Sequence, residues 1–458
     1  MRQMDSRQRW VLVLGSVASL MVALDALVVS TALSTIRAQL GASVDQLEWT
    51  VNAYGLSFAV LMIPAAALGD RLGRRRLFAA GLGLFVLASG ACALAPSAGL
   101  LIGARAVQGG AAALVTPLSL ALIGDAFPPA QRGKAMGLYG AITGVAVLAG
   151  PVIGGAVTQG LAWQWIFWIN VPIGLVTIPL VLTRIAESFG PRARLDVPGL
   201  ALVSTAAFGV VWALMRSNEA GWGSAEVLGA GAAGAGALAA FVVRQRRAAD
   251  PMLPPRMFAR RGFSAASGAA FLMMAGLLNA VFFMAQFQQI ALGQGPLHAG
   301  LRLLPWTATL FFVAPIAGSL TNRVGERSLV AAGLALQAAG FAWIALIASP
   351  QVGLWQLIAP MVIAGAGISM ALPPAQNAVL NAVAASDVGR ASGAYSTLRQ
   401  LGGAFGLAIG VAVFTGAGGY GSAAAFSAGF VPALAVSAAL SGCGALVALA
   451  LPRRRAAA

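Results

Sequence analysis

The chain has 458 residues, of which 59% are hydrophobic and only 9% are charged. Ordinary soluble domains have about 25% charged residues, so this composition excludes a water-soluble fold and predicts an all-α protein that crosses a membrane many times. The net charge of +16 would suggest nucleic acid binding in a soluble chain, but the cations fall in short segments between apolar runs, which excludes that interpretation.

About fourteen segments of mostly apolar residues follow one another, each long enough to form a transmembrane helix. Arg and Lys concentrate in alternate connecting segments, so the positive-inside rule predicts that both termini are cytoplasmic. The abundance of Arg, Ala and Gly suggests a GC-rich bacterium and therefore its cytoplasmic membrane. The predicted spans are 10–33, 47–68, 77–95, 99–123, 134–158, 164–183, 197–215, 225–243, 263–292, 299–320, 328–348, 353–374, 391–414 and 428–451.

The first span carries Asp25 about fifteen residues from its start, which is roughly 22 Å deep for a helical rise of about 1.5 Å per residue. Asp25 is the only carboxylate that the sequence predicts to lie well inside a span. Desolvation at that depth favours the neutral form of an acid, as a proton carrier requires. The alternative is a structural role, in which Asp25 caps a kink or binds a neighbouring helix.

The turn after the second span, Gly69–Arg76, holds five ionised side chains in eight residues, GDRLGRRR. A central Arg or Asp costs ~3 kcal/mol to insert into hydrocarbon, so this turn is predicted to lie at a membrane face. Glycine permits the tight turn, and Asp70 can accept hydrogen bonds from helix N-termini or from arginines. A purely topogenic positive turn is the alternative, although an acid adds nothing to topology.

The fourth span carries Arg105, about eighteen residues from the inner end near Ile123 and therefore roughly 27 Å from it. That depth allows Arg105 to approach Asp25, where a fixed cation would modulate the protonation of the carboxylate. A salt-bridged arginine with a structural role is the alternative.

The fifth span combines small residues with a proline, which makes a helix closely packable and bendable. Ordinary small-residue packing is the alternative, because the chain has 57 glycines. The residues concerned are Gly150, Pro151, Gly154 and Gly155.

The ninth span contains aromatic, methionine and amide side chains that suit a roomy pocket for amphipathic compounds. An interfacial aromatic belt is the alternative. The predicted substrate-binding residues here are Asn279, Phe283, Met284 and Phe287, and earlier spans add Asn52, Tyr54 and Gln108.

An internal repeat supports two related halves. Residues 71–82 match residues 323–334 at eight of twelve positions, with an offset of 252. The repeat predicts two six-helix bundles with two inserted helices between them, as in transporters whose halves are related by an axis along the membrane normal. The predicted domains are 1–190, 191–250 and 251–458.

Over nearly its whole length the chain resembles the fourteen-helix drug:proton antiporter branch of the major facilitator superfamily. The turn matches the loop signature G-x-L-x-D-R-x-G-R-R, although Ala66 replaces its first glycine. Other patterns of the branch are matched in order along the chain. The matching residues are Asp70, Arg71, Gly73, Arg74 and Arg75 in the turn, Leu24 and Asp25, Arg105, Gln108 and Gly109, Gly150, Pro151, Gly154 and Gly155, and Trp165 to Phe167 with Asn170 to Gly174.

The resemblance implies a monomeric exporter of small amphipathic compounds that exchanges them for protons by alternating access, with no cofactor. It implies that Asp25 and Arg105 couple the proton, that the turn latches the two halves, and that the Gly-Pro helix seals them. Monocations, zwitterions or neutral amphiphiles are expected rather than dications, because the seventh to fourteenth spans contain no acid beyond boundary positions such as Glu226. A nutrient symporter and a non-transporting sensor are the alternatives. An enzyme is not expected, since the sequence offers no nucleophile and base set and no metal cluster. The absence of a GxxxxGK[ST] motif argues against an ATP-driven pump.

Overall fold

The computed structural model describes residues 4–190, 196–248, 251, 255–383 and 388–452. Within these ranges every regular element is a helix, which confirms the all-α prediction. By length and composition, 13 of the described segments could cross a membrane, and the 29-residue helix Val44–Leu72 lies between the first two of them. The chain divides into unit 1, residues 1–196 with 295–300, and unit 2, residues 197–294 with 301–458.

In unit 1, α1 lies against α4, α5 and α7, α2 packs along α4, and α3 packs on α4 and α7. These contacts place α4 at the centre of the unit. The helices in its described residues are α1 Ser6–Leu40, α2 Val44–Leu72, α3 Arg74–Ala93, α4 Ala98–Ala126, α5 Pro129–Gly160, α6 Trp165–Trp168 and α7 Asn170–Arg184.

The corner between α1 and α2 shows why the chain turns there. Gly41 ends α1 in the left-handed conformation, with φ of 61°, which glycine adopts without steric cost. Ser43 then caps α2: its hydroxyl accepts from Gln46 N at 3.2 Å, and Gln46 Oε1 accepts from Ser43 N at 3.0 Å. This reciprocal capping box fixes the first turn of α2, directly before the buried Glu48.

In unit 2, α11 lies against α16, α17 and α18, while α8 packs on α9 and α17. Between α11 and α12 the chain forms the π-helical segment Phe287–Ala291. The helices in the described residues after Asp196 are α8 Val197–Ala220, α9 Ala225–Arg247, α10 Pro255–Phe258, α11 Arg261–Gln286, α12 Pro296–Arg302, α13 Leu304–Thr307, α14 Thr309–Val324, α15 Glu326–Ile347, α16 Leu354–Asn381, α17 Val388–Ala417 and α18 Ala423–Ala448.

The internal repeat reappears as two equivalent turns. Gly73 joins α2 to α3 with φ of 107°, and Gly325 joins α14 to α15 with φ of 91°. Each donates its N–H to the residue four positions earlier, Gly69 or Thr321. A side chain would be strained at both positive φ angles, so glycine at this repeat position has a conformational reason.

One predicted span is divided in the structure next to a proline. The span 299–320 is divided among α12, α13 and α14, with Pro305 in the first turn of α13. Proline lacks an N–H and so tolerates a helix start better than a helix interior. The domain boundaries 1–190, 191–250 and 251–458 stay a prediction, and in the structure α8 and α9 belong to unit 2.

Large apolar side chains lie on the outside of several helices. Leu87, Leu346 and Trp355 have exposed fractions of 73%, 86% and 85%. Water would penalise so much exposed apolar surface at about 25 cal/mol per Å², whereas lipid chains would not. The outer helix surfaces are therefore those of a protein embedded in a membrane.

Candidate functional site

Asp25 lies in the interior of α1, and its exposed fraction is only 1%. Its Oδ2 accepts a hydrogen bond from Arg105 Nη1 at 2.5 Å, which is also an ion pair. Its Oδ1 accepts from Gln108 Nε2 and from Asn170 Nδ2, both at 2.8 Å. Side chains from α4 and α7 therefore bind both oxygens of this buried carboxylate.

Arg105 is as deeply buried as its partner, with 1% exposed. Its Nε donates to the main-chain oxygen of Thr50 at 3.2 Å, and Nη1 also donates to Gln108 Oε1 at 2.7 Å. The guanidinium carbon lies 4.2 Å from the centroid of the Tyr54 ring and 5.7 Å from that of Phe167. Hydrogen bonds and two aromatic rings thus surround the cation in place of water.

Ser89 on α3 connects the amides that bind Asp25. Its Oγ accepts from Gln108 Nε2 at 2.7 Å and from Asn170 Nδ2 at 3.1 Å. The Gln108 amide is thereby held with its nitrogen toward Asp25 and its oxygen toward Arg105. The network draws on α1, α2, α3, α4 and α7, so its geometry depends on how five helices pack.

The Asp25 and Arg105 pair has a simple chemical property. Its charges balance only while Asp25 is ionised, and binding of a proton to Asp25 removes the counter-charge of a fully buried cation. An uncompensated buried charge is strongly unfavourable, so protonation favours a different arrangement of the surrounding helices. A proton-coupling role for Asp25 and Arg105 stays a prediction.

Two of the predicted pocket residues, Tyr54 and Gln108, belong to this network, whereas Asn52 does not. Asn52 Nδ2 donates to Glu48 Oε1 at 3.1 Å. Glu48 has an exposed fraction of 0%, so unit 1 buries a second carboxylate at the edge of a predicted span, in addition to Asp25 inside one. Glu48 stands at the second position of the predicted span 47–68. Burial at such a position depends on how neighbouring helices pack, which the sequence does not show.

The charged turn forms a second network within unit 1. Asp70 Oδ1 accepts from Arg74 Nε at 2.8 Å, and Arg74 also forms an ion pair with Asp125 at the end of α4. The segment that follows α7 closes over the turn, because Arg74 N donates to Ser188 O at 2.9 Å and Gly190 N donates to Asp70 O at 3.1 Å. The turn is thus fixed to α4 and to the segment after α7.

Glu187 places a negatively charged carboxylate at the N-terminus of α3, next to the turn. Its two oxygens accept from Arg75 N at 2.9 Å and from Arg76 N at 3.3 Å. A carboxylate at a helix N-terminus binds free N–H groups and complements the helix dipole. Gly73, Arg75 and the Asp70 and Arg74 pair therefore lie together, whereas Arg71 is exposed. The role of the charged turn as a latch between the two halves stays a prediction.

The glycines of α5 allow close contact with α1. A Cβ atom at Gly150 would lie 2.8 Å from the Leu27 Cβ, and one at Gly154 would lie 2.5 Å from the Val28 main-chain oxygen. Both distances are shorter than normal non-bonded contacts of a carbon atom, so larger residues would separate the helices. The stripe therefore has a packing role in unit 1.

The same helix contacts residues 295–300, which also belong to unit 1. A Cβ atom at Gly155 would overlap the main chain of Pro296, and one at Gly300 would overlap the carbonyl of Pro151. Gln159 Oε1 accepts from Leu297 N at 3.1 Å. The predicted sealing role of Gly155 and Pro151 stays a prediction.

Asn279 and Met284, predicted to bind substrate, are fully enclosed in unit 2, with exposed fractions of 0% and 1%. Asn279 Nδ2 donates to Ala433 O and to Ser437 Oγ, both at 2.8 Å. These bonds join α11 to α18.

Phe283 and Phe287 lie in an aromatic cluster of the same unit. The Phe283 ring stacks on Phe414 with centroids 4.8 Å apart, and Phe287 stacks on Phe430 at 4.2 Å. Stacking contributes about 0.5–1.5 kcal/mol per pair beyond area burial. A role for these residues in a substrate pocket stays a prediction.

Sequence reasoning gave no site role to five polar residues of unit 1 that form these bonds, although it matched Asn170 to a pattern of the branch. Asn170 had a usable signal, since it interrupts an apolar run, and polar groups inside a span are costly unless they bind something. Ser89 gave no such sequence signal, because serine is common in membrane helices. These five residues are Glu48, Ser89, Asp125, Asn170 and Glu187.

Comparison with known proteins agrees with this architecture. The chain is 33% identical to the tetracenomycin C resistance and export protein of Streptomyces glaucescens over 86% of this chain and 73% of that protein. It is 36% identical to the cephamycin export protein CmcT of Amycolatopsis lactamdurans over 90% of this chain and 86% of that protein. A crystal structure of a POT family transporter in complex with 5-aminolevulinic acid has a similar fold, with a TM-score of 0.71, 12% identity and coverage of 95% and 94%.

A family model provides the assignment. The model of the Major Facilitator Superfamily matches residues 15–407 and, a second time, residues 283–458. Most of the chain is covered, including the turn and every residue of the Asp25 network. The chain therefore belongs to the major facilitator superfamily, and its two bundles have the fold of that family's transporters.

Proposed function

We propose that this protein is a proton-coupled exporter of small amphipathic compounds, in which Asp25 carries the proton. The observation that supports the proposal most is the fully buried pair of Asp25 and Arg105, with Gln108 and Asn170 completing the bonds of the carboxylate. The names of the two relatives, export proteins for tetracenomycin C and for cephamycin, support antibiotic-like substrates.

The cycle follows from the charge balance of the pair. The protein takes substrate from the cytoplasm or the inner leaflet while Asp25 is ionised and bonded to Arg105. A proton from outside then neutralises Asp25, frees Arg105 from the ion pair and drives the release of substrate and the return. At 100 mV and one pH unit, a proton supplies about 2.3 and about 1.4 kcal/mol, enough for a gradient of several hundredfold if its full charge moves.

The remaining parts of the proposal concern orientation and gating. Both termini are cytoplasmic in a bacterial cytoplasmic membrane, because the positive segments then lie inside. The charged turn acts as a latch at the cytoplasmic side, and Gly155 and Pro151 belong to a seal at the opposite end of the helices. The protein works as a monomer and performs transport rather than catalysis.

The test is a susceptibility panel in a bacterial host that lacks its own drug exporters. We expect cells with the wild-type protein to resist at least one amphipathic compound and to accumulate less of it when it is labelled. Asp25→Asn, at matched abundance in the membrane, is expected to lose both effects. Glu226→Gln is the matched control, because Glu226 pairs with Arg216 at 3.0 Å on a partly exposed surface, and it should behave as wild type.

Three outcomes would contradict the proposal. Full resistance with Asp25→Asn would remove the proton role of this residue. Resistance without lower accumulation would favour a sensor, and higher accumulation of a compound would favour a symporter.

A further inference from the structure

Unit 1 contains a second fully buried carboxylate that the proposed cycle does not use. Glu48 lies in the first turns of α2, and its exposed fraction is 0%. Asn52, one helical turn later and on the same face, is 1% exposed. Two polar side chains are therefore enclosed next to each other, and the hydrogen bond between them is separate from those of the Asp25 network.

The hydrogen bonding of the two side chains is incomplete. Asn52 Nδ2 donates to Glu48 Oε1 at 3.1 Å. The other two oxygens, Glu48 Oε2 and Asn52 Oδ1, are buried and have no hydrogen-bond partner among the described residues. Buried polar groups are normally bonded, because desolvation without a partner is costly. Glu48 Oε1 and Asn52 Nδ2 are therefore bonded to each other, whereas Glu48 Oε2 and Asn52 Oδ1 both lack a hydrogen donor.

The surrounding groups supply no such donor. In the described residues Glu48 takes part in no ion pair. Arg105 is engaged with Asp25, Gln108 and the main-chain oxygen of Thr50, and Asp45 has the same sign of charge as Glu48. The titratable or charged side chains on this half of α2 and of the helices against it are Asp45 and Tyr54 on α2, Asp25 and Arg37 on α1, Cys92 on α3 and Arg105 on α4.

A hydrogen on Glu48 Oε2 would complete the bonding. The acid could then donate from Oε2 to Asn52 Oδ1 while Asn52 Nδ2 donates to Oε1, which forms a cyclic acid and amide pair. Both unbonded oxygens are satisfied by this one hydrogen, and no buried charge remains.

We propose that Glu48 is a second proton-binding carboxylate, protonated and paired with Asn52 in this closed arrangement. When the end of α2 opens to water, Glu48 ionises and gives its proton to the solvent, and closure requires that a proton be taken up again. The inference rests on the proposed exchange of protons for substrate and adds a second proton to it. For each pH unit across the membrane, a second proton raises the concentration ratio that transport can sustain by about tenfold.

The test needs no substrate. Infrared difference spectra of the purified full-length protein in lipid, recorded between acidic and alkaline buffer, detect the carbonyl stretch of a protonated buried carboxyl group. We expect this band in the wild type and in Asp25→Asn, and its loss in Glu48→Gln. Asp45→Asn is the matched control, an acid to amide change one turn away that should keep the band. An unchanged band in Glu48→Gln would overturn the proposal.

Glu48→Gln is suited to this test, because glutamine has the size of glutamate and its amide can make both hydrogen bonds with Asn52. A purely structural role of Glu48 therefore predicts unchanged transport by this variant. We instead expect the number of protons exchanged per substrate to fall by one in proteoliposomes, with downhill exchange retained. An unchanged ratio would overturn the second proton while leaving antiport intact, whereas no proton flux in the wild type would overturn the proposed function itself.

Discussion

At the residue scale, the pair of Asp25 and Arg105 depends on the shape of the arginine. The guanidinium directs Nη1 to Asp25 and Gln108 and Nε to the oxygen of Thr50. A lysine carries its charge at a single nitrogen and could not keep this set of bonds while lying over the Tyr54 ring. The site thus specifies arginine by geometry as well as by charge.

The pair makes a prediction about stability. Arg105→Ala leaves Asp25 as a buried unpaired acid, and we expect it to lower the free energy of unfolding by about 3–5 kcal/mol. The double variant Asp25→Asn with Arg105→Ala should recover much of that loss, because no buried charge is left. Chemical unfolding of the purified protein in detergent measures both. Equal stabilities of the single and double variants would contradict the role of charge balance.

Two residues of this site were predictable from the sequence because of their depth within the predicted spans. Asp25 and Arg105 stand far inside apolar runs, where a charge requires a partner at any plausible packing. Glu48 was not predictable, because it stands at the second position of a predicted span, where a glutamate is ordinary. Its burial is a property of neighbouring helices, which local sequence does not encode.

At the scale of elements, the turn between α2 and α3 combines a conformational and an electrostatic requirement. Gly73 supplies the positive φ angle, and Asp70 bonds the Arg74 side chain beside the first turn of α3. The equivalent turn at Gly325 keeps the glycine but has Asn322 and Glu326 in place of the Asp70 and Arg74 pair. The repeat therefore preserves the backbone and changes the charges.

This difference predicts unequal effects of two reciprocal substitutions. Asp70→Asn removes the ion pair with Arg74, and we expect it to impair transport while membrane insertion and abundance stay near normal. Asn322→Asp should be mild. Transport assays at matched abundance compare the two. If Asp70→Asn transports as the wild type does, the turn serves topology alone.

The helix α5 offers a matched pair of glycines for a packing test. Gly154→Ala would bring a methyl group to 2.5 Å from the Val28 oxygen, whereas nothing lies within 4 Å of a Cβ atom at Gly140. Overpacking typically costs about 1–3 kcal/mol, so we expect Gly154→Ala to lower thermal stability and transport, and Gly140→Ala to change neither. Equal thermal unfolding of the two variants would contradict the close contact of α1 and α5.

For the whole molecule, the helical class and the two-part repeat were predictable, because hydropathy and an offset of 252 residues appear directly in the sequence. The packing inside unit 2 was less predictable from the sequence. A run of Phe, Met and amide residues fits a pocket or a packed core equally well by composition. In the structure Phe283 and Phe287 stack on Phe414 and Phe430 from α17 and α18, contacts over long sequence separations that no local pattern indicates.

The central claim is that Asp25 binds the proton that is exchanged for substrate. Everted membrane vesicles that hold a preset pH gradient test it directly, with a compound to which the protein confers resistance. The account predicts that adding this compound partly collapses the gradient in vesicles with the wild type or Glu226→Gln and leaves it unchanged with Asp25→Asn. The same collapse with Asp25→Asn, or none with the wild type, would contradict the account.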